Sequence, residues 1–297
     1  MKKNTKKIVT AAGIAAGTAA VASLYAYVTI KALIDTALDR EMPKVMEKAD
    51  KRISGEKSSD EFTNRMESAS ESLAVQPNET VEIIAHDGEK LVGHYFPCEK
   101  PERVIIAFHG WRSSWHRDFG MISDFWYKNN CSVLYVEQRG QNNSSGEYMG
   151  FGLTERFDCL DWLNWEIERC GSDIPVYLAG VSMGATTVLM AAGLQLPPNV
   201  HGIMADCGFT SANAIWEHIA KDNLHIRFGI RSAIADRMCR RKIQVGSKEH
   251  STVEALKHTH VPVILVHGAD DHFVPVEMTY ENYTACTAPK DLLIVPG

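Results

Sequence analysis

The sequence predicts an α/β protein built on a mostly parallel central sheet with helices on both faces. Short, continuous apolar runs recur from about residue 80 onward, as strands buried on both faces require. A hairpin pattern comes first, and strand-like and helix-like segments alternate after it. The chain has 297 residues, 45% hydrophobic and 23% charged. That is enough to bury a large core, and it excludes disordered, collagenous and low-complexity classes.

The chain opens with Lys2, Lys3, Lys6 and Lys7, followed by an uncharged run from Ile8 to Ile30. As a helix that run would extend about 34 Å, against a hydrocarbon core of about 30 Å. Tyr25 and Tyr27 lie near its far end, where amphipathic rings suit an interface, and Asp35, Asp39 and Glu41 follow it. The lysines place the N-terminus in the cytoplasm and the remainder outside. The expectation is an uncleaved single-pass signal anchor over 8–30 at the cell membrane. The second choice is cleavage near Ala22, after the small-x-small site Ala20-Val21-Ala22, giving a secreted protein. Gly13-x-x-x-Gly17 has the spacing of a helix-pairing motif. Net charge is −6, and −10 without the four lysines. So acidic a body lacks the electrostatic footprint of a nucleic-acid binder. Seven cysteines, an odd number without a C-x-x-C pair, argue against a disulfide framework or zinc ribbon.

Residues 31–77 read as a juxtamembrane helix, with Leu33, Ala37, Met42 and Val45 on one stripe, fading into a Ser/Glu-rich spacer from Ser54 to Ser72 and closed by Pro77-Asn78. Residues 78–297 read as the folded domain. Val81 to Ala85, the Asp87-Gly88 turn and Leu91 to Phe96 form the hairpin. Six further strands are expected at Val104–Phe108, Ser132–Val136, Val176–Ala179, Gly202–Ala205, Val261–Val266 and Leu292–Val295. Between them, Glu155 to Arg169 has helical spacing, with Phe157, Leu160, Leu163 or Trp162, and Ile167 on one side. Thr186 to Leu194 is apolar all round, as a helix buried beside a sheet would be. About 50 residues, 211–260, interrupt the rhythm before the penultimate strand. Ile215, Ile219, Ile230, Ile234 and Met238 give this insertion a helical pattern, and it is expected to cap a site. Its Arg227, Arg231, Arg237, Arg240 and Arg241 suit either a solvated face or an anionic ligand.

The chemistry concentrates at Gly180-Val181-Ser182-Met183-Gly184, a G-x-S-x-G between a strand and an apolar helix. Glycines flank Ser182 because a sharp strand-to-helix turn leaves no room for side chains beside it. The following helix N-terminus favours developing negative charge. With this motif the chain resembles the α/β-hydrolase superfamily, whose order is nucleophile, acid, histidine. Phe108-His109-Gly110-Trp111 resembles the family's H-G turn. The resemblance implies that the backbone N–H groups of Trp111 and Met183 hold the oxyanion, while the His109 side chain is structural and Gly110 supports the turn. Glu137 to Gly146 resembles the family's D-x-R-G-x-G-x-S loop, with Glu137 for Asp and Asn142 for the second Gly. His267-Gly268-Ala269-Asp270-Asp271-His272-Phe273-Val274-Pro275 resembles the H-G-x-x-D-x-x-V-P loop and implies Asp271 as the acid, with Asp270 the fallback. A metal site at His267, Asp270, Asp271 and His272 is disfavoured, because no helical H-x-x-x-H accompanies them.

The family's histidine follows the final strand, whereas this sequence ends at Val295-Pro296-Gly297 with no histidine after His272. The histidine is therefore expected beyond Gly297, in a longer protein. The resemblance, softer for the bacterial membrane-anchored hydrolases of the superfamily, implies a serine hydrolase needing no cofactor. Its expected substrate is a small carboxylic ester, with an amide or peptide second. The alternative is a membrane-tethered binding module that keeps the pocket and has lost the base.

Overall fold

The computed structural model describes residues 21, 23–42, 60–229 and 231–296. The expected span 8–30, its Gly13-x-x-x-Gly17 spacing, Met1 to Lys7, Val45 and Ile230 lie wholly or largely outside these residues. No helix among the described residues is long and apolar enough to cross a membrane.

Eight strands form one sheet: β1 (Glu79–Ile84), β2 (Lys90–Phe96), β3 (Arg103–Phe108), β4 (Cys131–Glu137), β5 (Val176–Val181), β6 (Val200–Asp206), β7 (Val263–Gly268) and β8 (Lys290–Val295). Their spatial order is β1-β2-β4-β3-β5-β6-β7-β8. The β1–β2 hairpin is antiparallel and joins β4 antiparallel; every later pairing is parallel. All seven residues of β4 are buried. The period-two alternation of β3 sends Ile106 and Phe108 into one core, with Leu134, Trp162 and Leu178. It sends Ile105 and Ala107 into the opposite core, with Trp115, Phe119 and Tyr135.

Helices cover both faces: α1 (23–38), α2 (Asp60–Ala74), α3 (Trp115–Lys128), α4 (Glu155–Cys170), α5 (Met183–Ala191), α6 (Ala212–His218), α7 (Arg231–Ile243), α8 (Thr252–Leu256) and α9 (Val276–Ala285). A π-helical turn, Ile219–Asn223, continues α6. The buried face of α4 is Cys159, Trp162, Leu163 and Glu166. Of the stripe expected from spacing, Trp162 and Leu163 are buried, while Phe157, Leu160 and Ile167 are half-buried. Every residue of α5 is buried, as its composition requires.

Two segments before the sheet differ from a simple linker. Where the sequence suggests a Ser/Glu-rich spacer, α2 packs on α3 and buries Leu73. A Cβ at Gly120 would lie 2.7 Å from the Ala69 carbonyl carbon. The two helices therefore touch backbone to backbone, which small residues permit and hydropathy does not report. More consequential is α1. Ile30, the last residue of the apolar run, is fully buried, as are Ile34 and Leu38. All three join Phe151, Phe209 and Trp216 in a third core above the C-terminal ends of the strands.

Candidate active site

β5 runs directly into Ser182 and α5. Ser182 has φ 52° and ψ −112°, a conformation costing a β-carbon residue about 1–3 kcal/mol. Close packing holds it there. A Cβ on Gly180 would overlap the Gly184 backbone, and one on Gly184 would overlap the Phe108 carbonyl. The Ser182 N–H donates to the Asp206 carbonyl at 2.8 Å, and its carbonyl accepts from Thr186 N–H. Its hydroxyl makes no capping bond to the helix, so an ordinary N-cap serine is the wrong description. It faces a cleft instead.

The H-G turn leaves β3 beside the elbow, and a Cβ on Gly110 would sit 3.5 Å from the Ser182 Cβ. Asp118, from the first turn of α3, accepts from Gly110 N–H at 2.6 Å and from the Ser113 hydroxyl at 2.6 Å. His109 is fully buried. Its Nδ1–H donates to the Gly110 carbonyl, and its Nε2 accepts from Gln138 N–H and the Asn142 amide. Burial is the largest influence on its pKa and holds it below the ordinary histidine value, the nearby Asp118 opposing. A neutral ring with one donor and one acceptor nitrogen matches these partners. The backbone N–H groups of Trp111 and Met183 bond no group among the described residues. Trp111 lines the cleft with Ser182.

The Glu137–Gly146 loop braces this turn. Gln141 accepts from Arg112 N–H at 2.6 Å. Glu137 is buried, accepting from His94 at 2.9 Å and from the Asn143 backbone at 2.6 Å. Burial pushes its carboxyl up, but these bonds outweigh burial and hold it below the ordinary carboxylate range. Arg139 pairs with Asp158 and Asp87. Asn142 has φ 50°, so the departure from glycine is accommodated by a residue that tolerates the left-handed region.

The acid loop follows β7. Asp271 accepts from the Phe273 and Val274 N–H groups at 2.8 and 2.9 Å, and its other oxygen lies 3.5 Å from His267 Nε2. Burial pushes the Asp271 carboxyl up, yet His267 and the two backbone donors prevail and keep it ionised below the usual range. His267 is itself buried, bonded to Thr279 and the Val274 carbonyl, so it anchors the loop. Ala269 N–H donates to the Val295 carbonyl at 2.8 Å, so the chain leaves β8 beside the acid loop. Asp270 makes no such set of bonds. Asp206, at the end of β6, is a second carboxylate here that motif reading passes over. It is solvent-accessible, yet surrounding protein pushes its carboxyl up, with His267 opposing and Asp271 and Asp118 reinforcing.

The cleft is narrow, with about 40 Å³ open to the centre of a water-sized sphere. Phe151 walls one side, Ile215, Trp216 and Ile219 of the insertion another, and Leu33, Thr36 and Ala37 of α1 a third. The insertion thus caps the site through its apolar residues. Arg227, Arg231, Arg237, Arg240 and Arg241 do not line it. The sequence reading missed Asp118, Gln141 and the α1 wall. The stripe Leu33–Ala37 was the available signal for the last. Among the described residues, His86, Asp158 and Asp161 have ligand atoms within 4.8 Å of one another. Asp158 is committed to Arg139, and none of the three lines the cleft.

Elbow, H-G turn, acid loop and sheet order together define the α/β-hydrolase fold. Solved structures agree. The chain superposes on the Pyrococcus furiosus esterase Pf2001 with a TM-score of 0.59 and 20% identity, covering 76% of this chain and 84% of that one. On the Pyrococcus horikoshii acylaminoacyl peptidase the TM-score is 0.53 at 17% identity, over 74% of this chain and 36% of that one. Among curated sequences, the uncharacterized protein YqkD of Bacillus subtilis is 24% identical over 206 residues, 68% of this chain. The chain spans 65% of YqkD's length. No protein-family model matches.

Proposed function

We propose that the protein is a serine hydrolase acting on a carboxylic ester, with Ser182 as nucleophile. The observation that carries this reading is the strained Ser182 elbow opening onto an apolar cleft beside two N–H groups without partners among the described residues. Ser182 Oγ attacks the acyl carbonyl carbon and its proton passes to a histidine. The Trp111 and Met183 N–H groups receive the oxyanion, which removing one such donor weakens by about 3–4 kcal/mol in comparable sites. The intermediate expels the alcohol, which takes the proton from the imidazolium. Water then hydrolyses the acyl-enzyme with the histidine as base. Asp271 holds the imidazole tautomer and stabilises the cation. The histidine is assigned to the chain following β8, because that strand ends against the Asp271 loop. Among relatives in fold, both an esterase and a peptidase occur, and an apolar cleft favours the ester over a polar peptide.

The apolar run 8–30 is assigned as a single-pass anchor with the catalytic domain outside the cell. Its described part before Ile30 supports this, with Val21, Leu24, Tyr25 and Val28 exposed apolar side chains, whereas Ile30 itself is buried in the protein core. Carbonate-resistant membrane association and protease accessibility of the domain in intact cells test it. The catalytic reading is tested with a fluorophosphonate probe on the native protein. Labelling is expected, and Ser182→Ala removes it together with about 10⁶-fold in kcat. Persistent labelling in that variant identifies a different nucleophile.

A further inference from the structure

We propose that α1 is the specificity wall of the Ser182 cleft, and that the acyl part of the substrate is an apolar chain lying against Leu33, Thr36 and Ala37. This rests on the ester reading above. Three observations carry it.

Among the described residues the cleft lining carries no charged side chain. Among the described residues Thr36 and Ser182 are its only hydroxyl groups, and the Thr36 hydroxyl is already bonded to the Ala32 carbonyl of its own helix at 2.7 Å. A bound acyl chain therefore meets no unsatisfied polar demand from this wall. Each methylene transferred from water into such a surface favours binding by about fourfold.

The wall is fixed in place. Ile30, Ile34 and Leu38 anchor the inner side of α1. At its end, Arg112 donates to the Thr36, Asp39 and Arg40 carbonyls at 3.0, 2.5 and 2.9 Å, a cation on the negative end of a helix. Lys242 of the cap helix α7 pairs with Asp35 at 3.1 Å and with Asp39. Met149 N–H donates to the Leu38 carbonyl at 2.7 Å.

The wall and the reaction centre also share a residue. The Trp111 indole donates to the Ala37 carbonyl at 3.0 Å, while the Trp111 backbone N–H is the proposed oxyanion donor. A change at Ala37 thus acts at the acyl-chain surface and beside the oxyanion turn. Leu33, one turn earlier, lacks that link. The two positions separate chain-length selection from general damage.

The test uses the native protein and p-nitrophenyl acetate, octanoate and dodecanoate. Ala37→Phe fills the cleft and is expected to lower the octanoate-to-acetate ratio of kcat/KM at least tenfold. Leu33→Ala enlarges it and is expected to raise the dodecanoate-to-octanoate ratio at least threefold. A merely structural role slows all three esters together and leaves both ratios unmoved, which overturns the proposal. If Ala37→Phe does not fold, the Leu33→Ala ratio decides alone. Decanoate binding, followed by tryptophan fluorescence in the Ser182→Ala background, gives a readout without turnover. Binding weakened at least tenfold by Ala37→Phe supports the wall even if no ester is hydrolysed, an outcome that breaks the ester reading alone. Unchanged binding overturns the wall.

Discussion

The two sides of the cleft are held by different physics. On the elbow side, Ser182, Gly184 and the H-G turn are placed by backbone against backbone, with no side chain between Gly184 and Phe108. On the opposite side, α1 is placed by side chains reaching across the sequence: Arg112 to Thr36 and Asp39, Trp111 to Ala37, Lys242 to Asp35. Close backbone packing tolerates no substitution but leaves little to adjust. Side-chain attachments can be removed one at a time. The proposed chemistry thus sits on the rigid side, and the proposed selection among substrates on the adjustable one.

Substitutions can break or sharpen this contrast. On the rigid side, Asp271→Asn is expected to lower kcat about 10⁴-fold by favouring the wrong imidazole tautomer, with fluorophosphonate labelling slowed in parallel. Its carboxylate stays ionised well into the acid range, so the acid limb of the kcat/KM profile should report the histidine and not Asp271. On the adjustable side, Arg112→Ala is expected to lower kcat/KM for a long-chain ester by about 10–100-fold through a displaced wall and oxyanion turn, while the fold survives. Steady-state kinetics with a thermal melt check both parts. If it were as damaging as Asp271→Asn, the two sides would not be separable.

The smallest effect is expected in the brace beneath the turn. Glu137→Gln removes a charge-assisted bond to His94 and should cost about 1–3 kcal/mol at neutral pH. The Glu137 pKa is depressed in the folded protein. Its contribution is therefore complete above the unfolded carboxylate value of about 4.3 and is lost as pH falls through the folded value. Melting temperatures of the two proteins should converge in acid. A difference that persists there would show that geometry, not charge, is what Glu137 supplies.

Much of this was legible beforehand because it depends on local rules. Eight strands announce themselves as short apolar runs, and each observed strand overlaps its expected position. The Ser182 elbow is legible because only glycine fits at 180 and 184. The motif spacing already favours Asp271 over Asp270 as the proposed acid, and the bonds to Phe273 and Val274 add to that preference. The α2 helix was hidden, since a surface of Ala69, Ser70 and Gly120 gives no hydropathy signal. The stripe on α4 is right at Trp162 and Leu163, whereas Cys159, not Phe157, joins them in the core.

Local chain chemistry alone therefore determined the sheet, the turn types and the residues proposed as nucleophile and acid. These follow from side-chain period, glycine sterics and motif spacing within a few residues. The walls of the cleft were decided only by tertiary structure. The stripe through Leu33 and Ala37 signals a buried helix face, but not that its partners are Trp111, Phe151 and Trp216. That meeting depends on α1 crossing the C-terminal edge of the sheet, where buried area and long-range hydrogen bonds, not local propensity, set its position.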